Sequence, residues 1–303
     1  MKMKKKSDNI SSMQIIMERA IEKNPHNSNV IKAFSPIFIV RNQLMENLRL
    51  KKMDSFCFDE VKFRQGVPLI KQGSLFQKDD PWKDIVVELV KSAKGAFPNL
   101  RKDWECIESA AVNGNISIDD YLRAVPETEG VVNDWAAKVQ ASPAAVNIVL
   151  RQLARIILEA RLKDIAKVIQ GIDWQKGYCP ICGTHPVIAQ IQEKIGHRYL
   201  YCPQCSYKWH FSRVICPYCE HHGQQGMDFF FIEDNERESV FACDHCKRYL
   251  ITLNQATNLN DYNLDVSAIS LIHLDFIMQE KGFLPMAVCE WNIFQGNEVE
   301  RQG

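Results

Sequence analysis

Eight of the chain's eleven cysteines fall between residues 179 and 246, as four C-x-x-C pairs. Random placement at this composition would give about 0.4 such pairs in the whole chain, so four in one segment are a specific signal. The pairs are Cys179 with Cys182, Cys202 with Cys205, Cys216 with Cys219, and Cys243 with Cys246, separated by gaps of 19, 10 and 23 residues. A C-x-x-C turn aims two thiolates to one side while backbone amides hydrogen-bond the sulfurs. Two such turns complete a tetrahedron with bonds of about 2.3 Å to zinc. Each long gap accommodates a β-hairpin, and the short gap is a strand leading onward. The spacing therefore predicts two consecutive sites, Cys179, Cys182, Cys202 and Cys205 at the first metal and Cys216, Cys219, Cys243 and Cys246 at the second. Cys179-Pro180-Ile181-Cys182 matches Cys216-Pro217-Tyr218-Cys219, which reads as an internal duplication. Ribbons this small cannot hold themselves together by burial, so ligation would contribute folding free energy directly.

Four thiolates suit zinc and rubredoxin-type iron equally. A closed four-sulfur shell leaves no position for water or substrate, which argues for structural sites and against an enzyme. A thiol-disulfide oxidoreductase or redox sensor would need an exposed pair of lowered pKa, normally in a βαβ setting that this pattern lacks. A zinc-ribbon nucleic-acid module is the other alternative. The chain carries 37 basic and 37 acidic side chains, and Gly177 to Arg248 holds seven Lys or Arg against eight Asp or Glu. Each four-thiolate site adds about two negative charges with Zn(II), or one with Fe(III). That segment is anionic, which disfavours phosphate backbones. His185, His197, His210, His221, His222 and His245 crowd the ribbons but are surplus as ligands, and His273 reads as a satisfied core histidine. Cys57, Cys106 and Cys289 read as small buried hydrophobes. No phosphate-binding glycine loop, nucleophile elbow or H-E-x-x-H helix is present.

These sulfurs need elements to position them, and 303 residues with 46% apolar and 24% charged side chains are enough for a sizeable core. Up to about residue 174 the pattern is helical. Asp80 before Pro81 and Ser142 before Pro143 read as N-caps, the second opening a long run to Ile169 that Gly171 stops. That run is apolar nearly all round, as in a centrally packed helix, kinked or divided by its length. Arg151, Arg155, Glu159 and Lys163 read as its solvated stripe. Phe56 to Phe76 and Pro126 to Gly130 read as loops. From Gly177 to Leu253 the period becomes that of strands, with Tyr207, Trp209 and Phe211 on one face of an alternating segment. After a polar linker, a last helix begins with Asp265 as its cap and ends at Gly282, followed by a tail in which Trp291 and Phe294 dock. Lys2, Lys4, Lys5 and Lys6 are followed by no signal-length apolar run, and no stretch reaches 18 apolar residues, so a cytoplasmic protein without membrane insertion is expected. In a reducing cytosol, cysteines so spaced are metal ligands rather than disulfides.

Order now matters as much as spacing. Tyr178-Cys179-Pro180-Ile181-Cys182-Gly183, then Arg198-Tyr199-Leu200-Tyr201-Cys202, then Lys208-Trp209-His210-Phe211-Ser212-Arg213-Val214-Ile215-Cys216 strongly resemble the formate dehydrogenase accessory protein FdhE family. So do Cys243-Asp244-His245-Cys246 with Tyr249-Leu250, and a last helix bearing Asp265, Leu274-Asp275 and Glu280-Lys281-Gly282-Phe283. The resemblance covers residues 177 to 285 well and the preceding region by length and type. Ser206 and Lys247 after the second and fourth pairs depart from it, as does the segment after Leu253. It implies an α+β fold: a helical N-terminal domain (1–174), two tandem rubredoxin-like or zinc-ribbon four-cysteine modules (175–214 and 215–254), and a C-terminal helix and tail (255–303). It also implies two bound metal ions, iron or zinc, and a maturation role, binding the catalytic subunit of a formate dehydrogenase. Trp209, His210 and Arg213 match the linker expected to face that partner. No nucleic acid is expected as a partner, and a homodimer is left open.

Overall fold

The computed structural model describes residues 12–53, 56–114, 118–223, 225–232, 235–256 and 263–293. The lysine-rich start, Phe294 and the middle of the polar linker lie outside the described residues. Ten helices are described: α1 (Ser12–Lys23), α2 (Ser28–Asn47), α3 (Glu60–Arg64), α4 (Trp82–Ala96), α5 (Arg101–Val112), α6 (Ile118–Ala124), α7 (Glu129–Val139), α8 (Pro143–Val168), α9 (Leu264–Ser270) and α10 (Ile272–Glu280). Seven strands accompany them: β1 (Ile188–Gln192), β2 (Arg198–Tyr201), β3 (Lys208–His210), β4 (Met227–Ile232), β5 (Asn235–Cys243), β6 (Arg248–Ala256) and β7 (Leu284–Pro285). A helical N-terminal region is thus followed by a sheet and two cysteine modules, the α+β arrangement expected from the sequence.

The long helix is one unbroken element. Ser142 sits in extended conformation and its Oγ accepts from Ala145 N at 3.4 Å, with Pro143 at the first helical position. Thirteen of the 26 residues of α8 are buried, so it has no single apolar stripe and neighbours enclose it. The reading of a solvated Arg151–Lys163 stripe does not hold. Arg155 is 2% exposed and pairs with Glu159 at 2.9 Å, while Arg151 is half-buried and Lys163 alone faces solvent. No single helix among the described residues is long and apolar enough to cross a membrane.

Several caps differ from expectation. Asp80 does not cap α4, whose boundary residue is Pro81; its carboxylate instead accepts from Gln77 N and takes a bidentate pair from Arg161 at 2.7 and 2.8 Å. Asn263, not Asp265, caps α9 through Val266 N. The last helix is divided at Leu271, and α10 ends as expected: Gly282, at φ +84°, donates to Gln279 O while Phe283 N donates to Met278 O. The tail is core rather than appendage, since Met286, Ala287, Cys289 and Trp291 are all buried. Of the three lone cysteines only Cys289 is buried; Cys57 is exposed and Cys106 intermediate. Within 56–76, Phe63 of α3 is fully buried but Val61 is exposed.

The strands form one sheet in the order β3-β2-β1-β6-β5-β4, with β7 also on β6. Each cysteine module contributes an antiparallel meander, β1-β2-β3 or β4-β5-β6. The meanders join where β1 pairs with β6 in parallel, Ile188 opposite Ile251. Period-two alternation sends Ile188, Tyr201, Val240, Ala242, Tyr249 and Ile251 to one face, where α1, α9, α10 and the tail cover them. Ala189, Leu200, Phe241 and Leu250 point the other way, toward a core shared with the cysteines and α8.

Candidate metal centres and an adjoining groove

Each cysteine pair lies in a tight knuckle of the same design. Gly183 N donates to Cys179 O at 2.9 Å, Ser206 N to Cys202 O at 3.1 Å, and Glu220 N to Cys216 O at 3.0 Å. The residue after every pair is left-handed: Gly183 at φ +77°, Ser206 at +58°, Glu220 at +57° and Lys247 at +53°. Pro180, Pro203 and Pro217 preset φ at the second position of three of the turns. The first knuckle of each module precedes its first strand, and the second sits between its last two strands. The meander therefore brings distant pairs together.

Cys179, Cys182, Cys202 and Cys205 converge in one set and Cys216, Cys219, Cys243 and Cys246 in another, the sulfurs of each within 4.8 Å of one another. Sγ separations are 3.5 Å for Cys179–Cys205, 3.4 Å for Cys182–Cys202, and 3.8 Å for both Cys216–Cys246 and Cys219–Cys243. A tetrahedron with bonds of about 2.3 Å has edges of about 3.8 Å, so either set fits around one ion. None of the eight is in a disulfide. Burial pushes the Cys179 and Cys205 thiols well up, and only a central cation would let four thiolates share that space.

A buried ionic joint holds the first module against the helices. Asp265 of α9 accepts from Arg41 of α2 at 2.5 Å and from Arg155 of α8 at 2.8 Å on one oxygen, and from Tyr201 Oη at 3.0 Å on the other. Arg155 also donates to Pro203 O, inside the Cys202–Cys205 knuckle. Burial alone would raise the Asp265 pKa, but the two guanidinium groups outweigh it and hold the carboxyl below its usual value. In the sequence, the Glu159–Lys163 spacing makes the Arg151–Lys163 stripe look solvated, while Ile156, Ile157 and Leu158 beside Arg155 are the contrary signal. Arg198 is another buried cation the sequence reading passed over: it donates to Ser212 O, and to Ile215 O at 2.6 Å, just before Cys216.

A groove of about 790 Å³ opens where α3, residues 173–176 and both modules meet. Its walls carry Arg64, Asp173, Lys176, His210, Glu220 and His222, with Lys176 and Glu220 paired at 3.0 Å. Of the three linker residues singled out in the sequence, His210 lines this groove. Trp209 is buried, its Nε1 donating to Lys176 O at 3.2 Å, and Arg213 is exposed outside the lining, against Gly196 O.

A helical body carrying a duplicated knuckle-and-meander sheet, with eight thiols in two compact sets, defines a tandem four-cysteine ribbon protein. Residues 178–213 match the family model for the FdhE central domain. The chain is 36% identical to Protein FdhE of Escherichia coli (strain K12) over 214 residues, 68% of this chain and 63% of that protein. It is 32% identical to the Protein FdhE homolog of Pectobacterium carotovorum over 219 residues, covering 69% and 65%. These alignments span less than two thirds of either relative. The crystal structure of the FdhE protein from Pseudomonas aeruginosa superposes with a TM-score of 0.59 at 16% identity, over 92% of this chain and 94% of that one, a likeness of fold. The chain is thus similar in sequence to FdhE proteins over about two thirds of its own length and carries the match to their central domain.

Proposed function

We propose that this chain is a cytoplasmic, non-catalytic accessory factor that loads two metal ions, iron or zinc, and binds the catalytic subunit of a formate dehydrogenase during its assembly. The observation that carries the reading is the pair of four-sulfur sets: every corner of each tetrahedron is a protein sulfur, so an ion there has no corner left for substrate. Cys179, Cys182, Cys202 and Cys205 hold one ion and Cys216, Cys219, Cys243 and Cys246 the other. The rigid sheet they brace supports the groove, whose interleaved charges and amides suit a polar polypeptide segment. His210 is the linker residue that meets the partner there, while Trp209 and Arg213 act by holding the linker's shape.

The test is co-purification. The large subunit of a formate dehydrogenase is expected to be retained by the wild-type chain and lost by a His210→Ala, Lys176→Ala, Arg64→Ala triple variant that keeps its metal content and circular dichroism. A deletion strain is expected to make the large subunit in normal amount with little formate dehydrogenase activity. Full activity in that strain overturns the proposal. An absorption spectrum with sulfur-to-iron charge transfer, against a colourless protein containing zinc, separates the two metals.

A further inference from the structure

The two cysteine sets are enclosed differently. Cys179, Cys182, Cys202 and Cys205 are all fully buried, whereas Cys219 and Cys246 of the second set are partly open to solvent. Main-chain bonds also bolt the first set to the helical body. Leu69 N donates to Pro180 O and Ile70 N to Ile181 O, both at 2.9 Å, and the side-chain Nε2 of Gln204 donates to Arg151 O at 3.2 Å. With the Arg155 contact to Pro203 O, both knuckles of the first set are clamped from outside. The second set's knuckles meet the first module through the half-exposed Lys176–Glu220 pair, the packing of His185 on Tyr218, and the close approach of Pro217 to Gly177. On its outer side, His221 and His245, one from each knuckle, stack at 5.0 Å with planes 6° apart, and Asp244, His245 and Lys247 are exposed.

We infer that the sites are kinetically unequal: the second exchanges its metal from the folded protein, and the first keeps its metal until the structure opens. This rests on the proposed reading of both sets as metal sites. Exchange requires an incoming donor to reach the ion while a thiolate leaves and takes a proton from water; no electrons move. At the second site Cys219 and Cys246 offer that approach from solvent. At the first, every sulfur is sealed, so exchange waits for an opening that separates the Pro180–Ile181 turn from Leu69 and Ile70, and such openings are rare.

The experiment uses the full chain, reconstituted with zinc and counted by native mass spectrometry before any challenge. Two bound ions are the expected start, and fewer than two after reconstitution overturns the metal reading and this inference together. Excess chelator is then expected to remove one equivalent at a rate on the order of 100-fold or more above the second, with circular dichroism unchanged. Iodoacetamide added with the chelator should modify Cys216, Cys219, Cys243 and Cys246 while Cys179, Cys182, Cys202 and Cys205 stay protected, as peptide mapping reads out. A folded Cys219→Ser, Cys246→Ser double variant should keep a single, slowly released ion. Departure of both ions from the wild type at one rate, or labelling of Cys179 to Cys205 first, overturns the inequality while leaving two metal sites standing.

Discussion

At Gly183 the knuckle has the one residue that adopts a left-handed backbone without strain; Ser206, Glu220 and Lys247 hold the same conformation at a cost of about 1 kcal/mol each. A Cβ at residue 183 would also meet Pro68 Cγ at 3.3 Å. Gly183→Ala is therefore expected to lower stability by about 1–2 kcal/mol, measured as a reduced urea midpoint of the metal-loaded protein. Lys247→Gly is expected to be nearly neutral, because relief of strain is offset by a more flexible unfolded chain. Gly177 differs in kind: its backbone is unremarkable, but a Cβ there would lie 1.9 Å from Pro217 O, a main-chain atom of the second module. Gly177→Ala must push the modules apart, and the same measurement should show a larger loss, about 2–3 kcal/mol.

Among elements, α8 and α9 depend on a carboxylate that the sequence suggested was only a cap. Asp265→Asn leaves Arg41 buried without its counter-charge and Arg155 with Glu159 alone, and a loss of about 3–5 kcal/mol is expected in equilibrium unfolding. Since the folded-state pKa of Asp265 lies below its unfolded value, its contribution is full above the unfolded pKa and disappears as pH falls through the folded one. Asp275 on α10 behaves oppositely. Burial pushes it up to about 7, although Tyr249 Oη donates to it at 2.6 Å. Its contribution is full below an unfolded value of about 3.9 and is lost as pH rises through about 7, a span worth on the order of 4 kcal/mol. The stability of Asp275→Asn relative to the wild type should therefore rise between pH 5 and pH 8, which urea midpoints at the two values will show. These features separate what was legible in the sequence from what was not. The knuckles, the Ser142 cap of α8 and the Gly282 stop are local patterns, written within a few residues, and the gap lengths assign the pairs to two sets; that α8 runs unbroken, against the kink or division its length suggested, follows from the neighbours that enclose it. Asp265 pairs with Arg41 and Arg155, and Asp80 with Arg161, across 81 to 224 positions, and at that distance a capping carboxylate and a buried counter-ion are the same letter. The lining of the groove is not legible for the same reason, since α3, Lys176 and Glu220 meet only after folding.

Over the whole molecule, one sheet ties the two modules together, and both of its faces are covered by chain from far away. Removing the metals under denaturing conditions should prevent recovery of the strand signal on refolding, and adding zinc or ferrous iron back should restore it, as far-ultraviolet circular dichroism will show. Truncation after Lys247 should expose all of Cys179 to Cys205 to alkylation, although that module keeps every one of its own residues. Without β6, β1 loses its parallel partner, and without α9 and α10 the face bearing Ile188 and Tyr201 is left bare.

That parallel seam sets an order on synthesis. A nascent chain emerges with its first meander complete in covalent terms but lacking the neighbour that arrives about forty residues later. Until Ile251 leaves the ribosome, β1 presents an unpaired edge, and the Cys202–Cys205 turn waits longer still for Asp265 to secure Arg155 beside it. The first cysteine quartet translated is thus the last to be sealed.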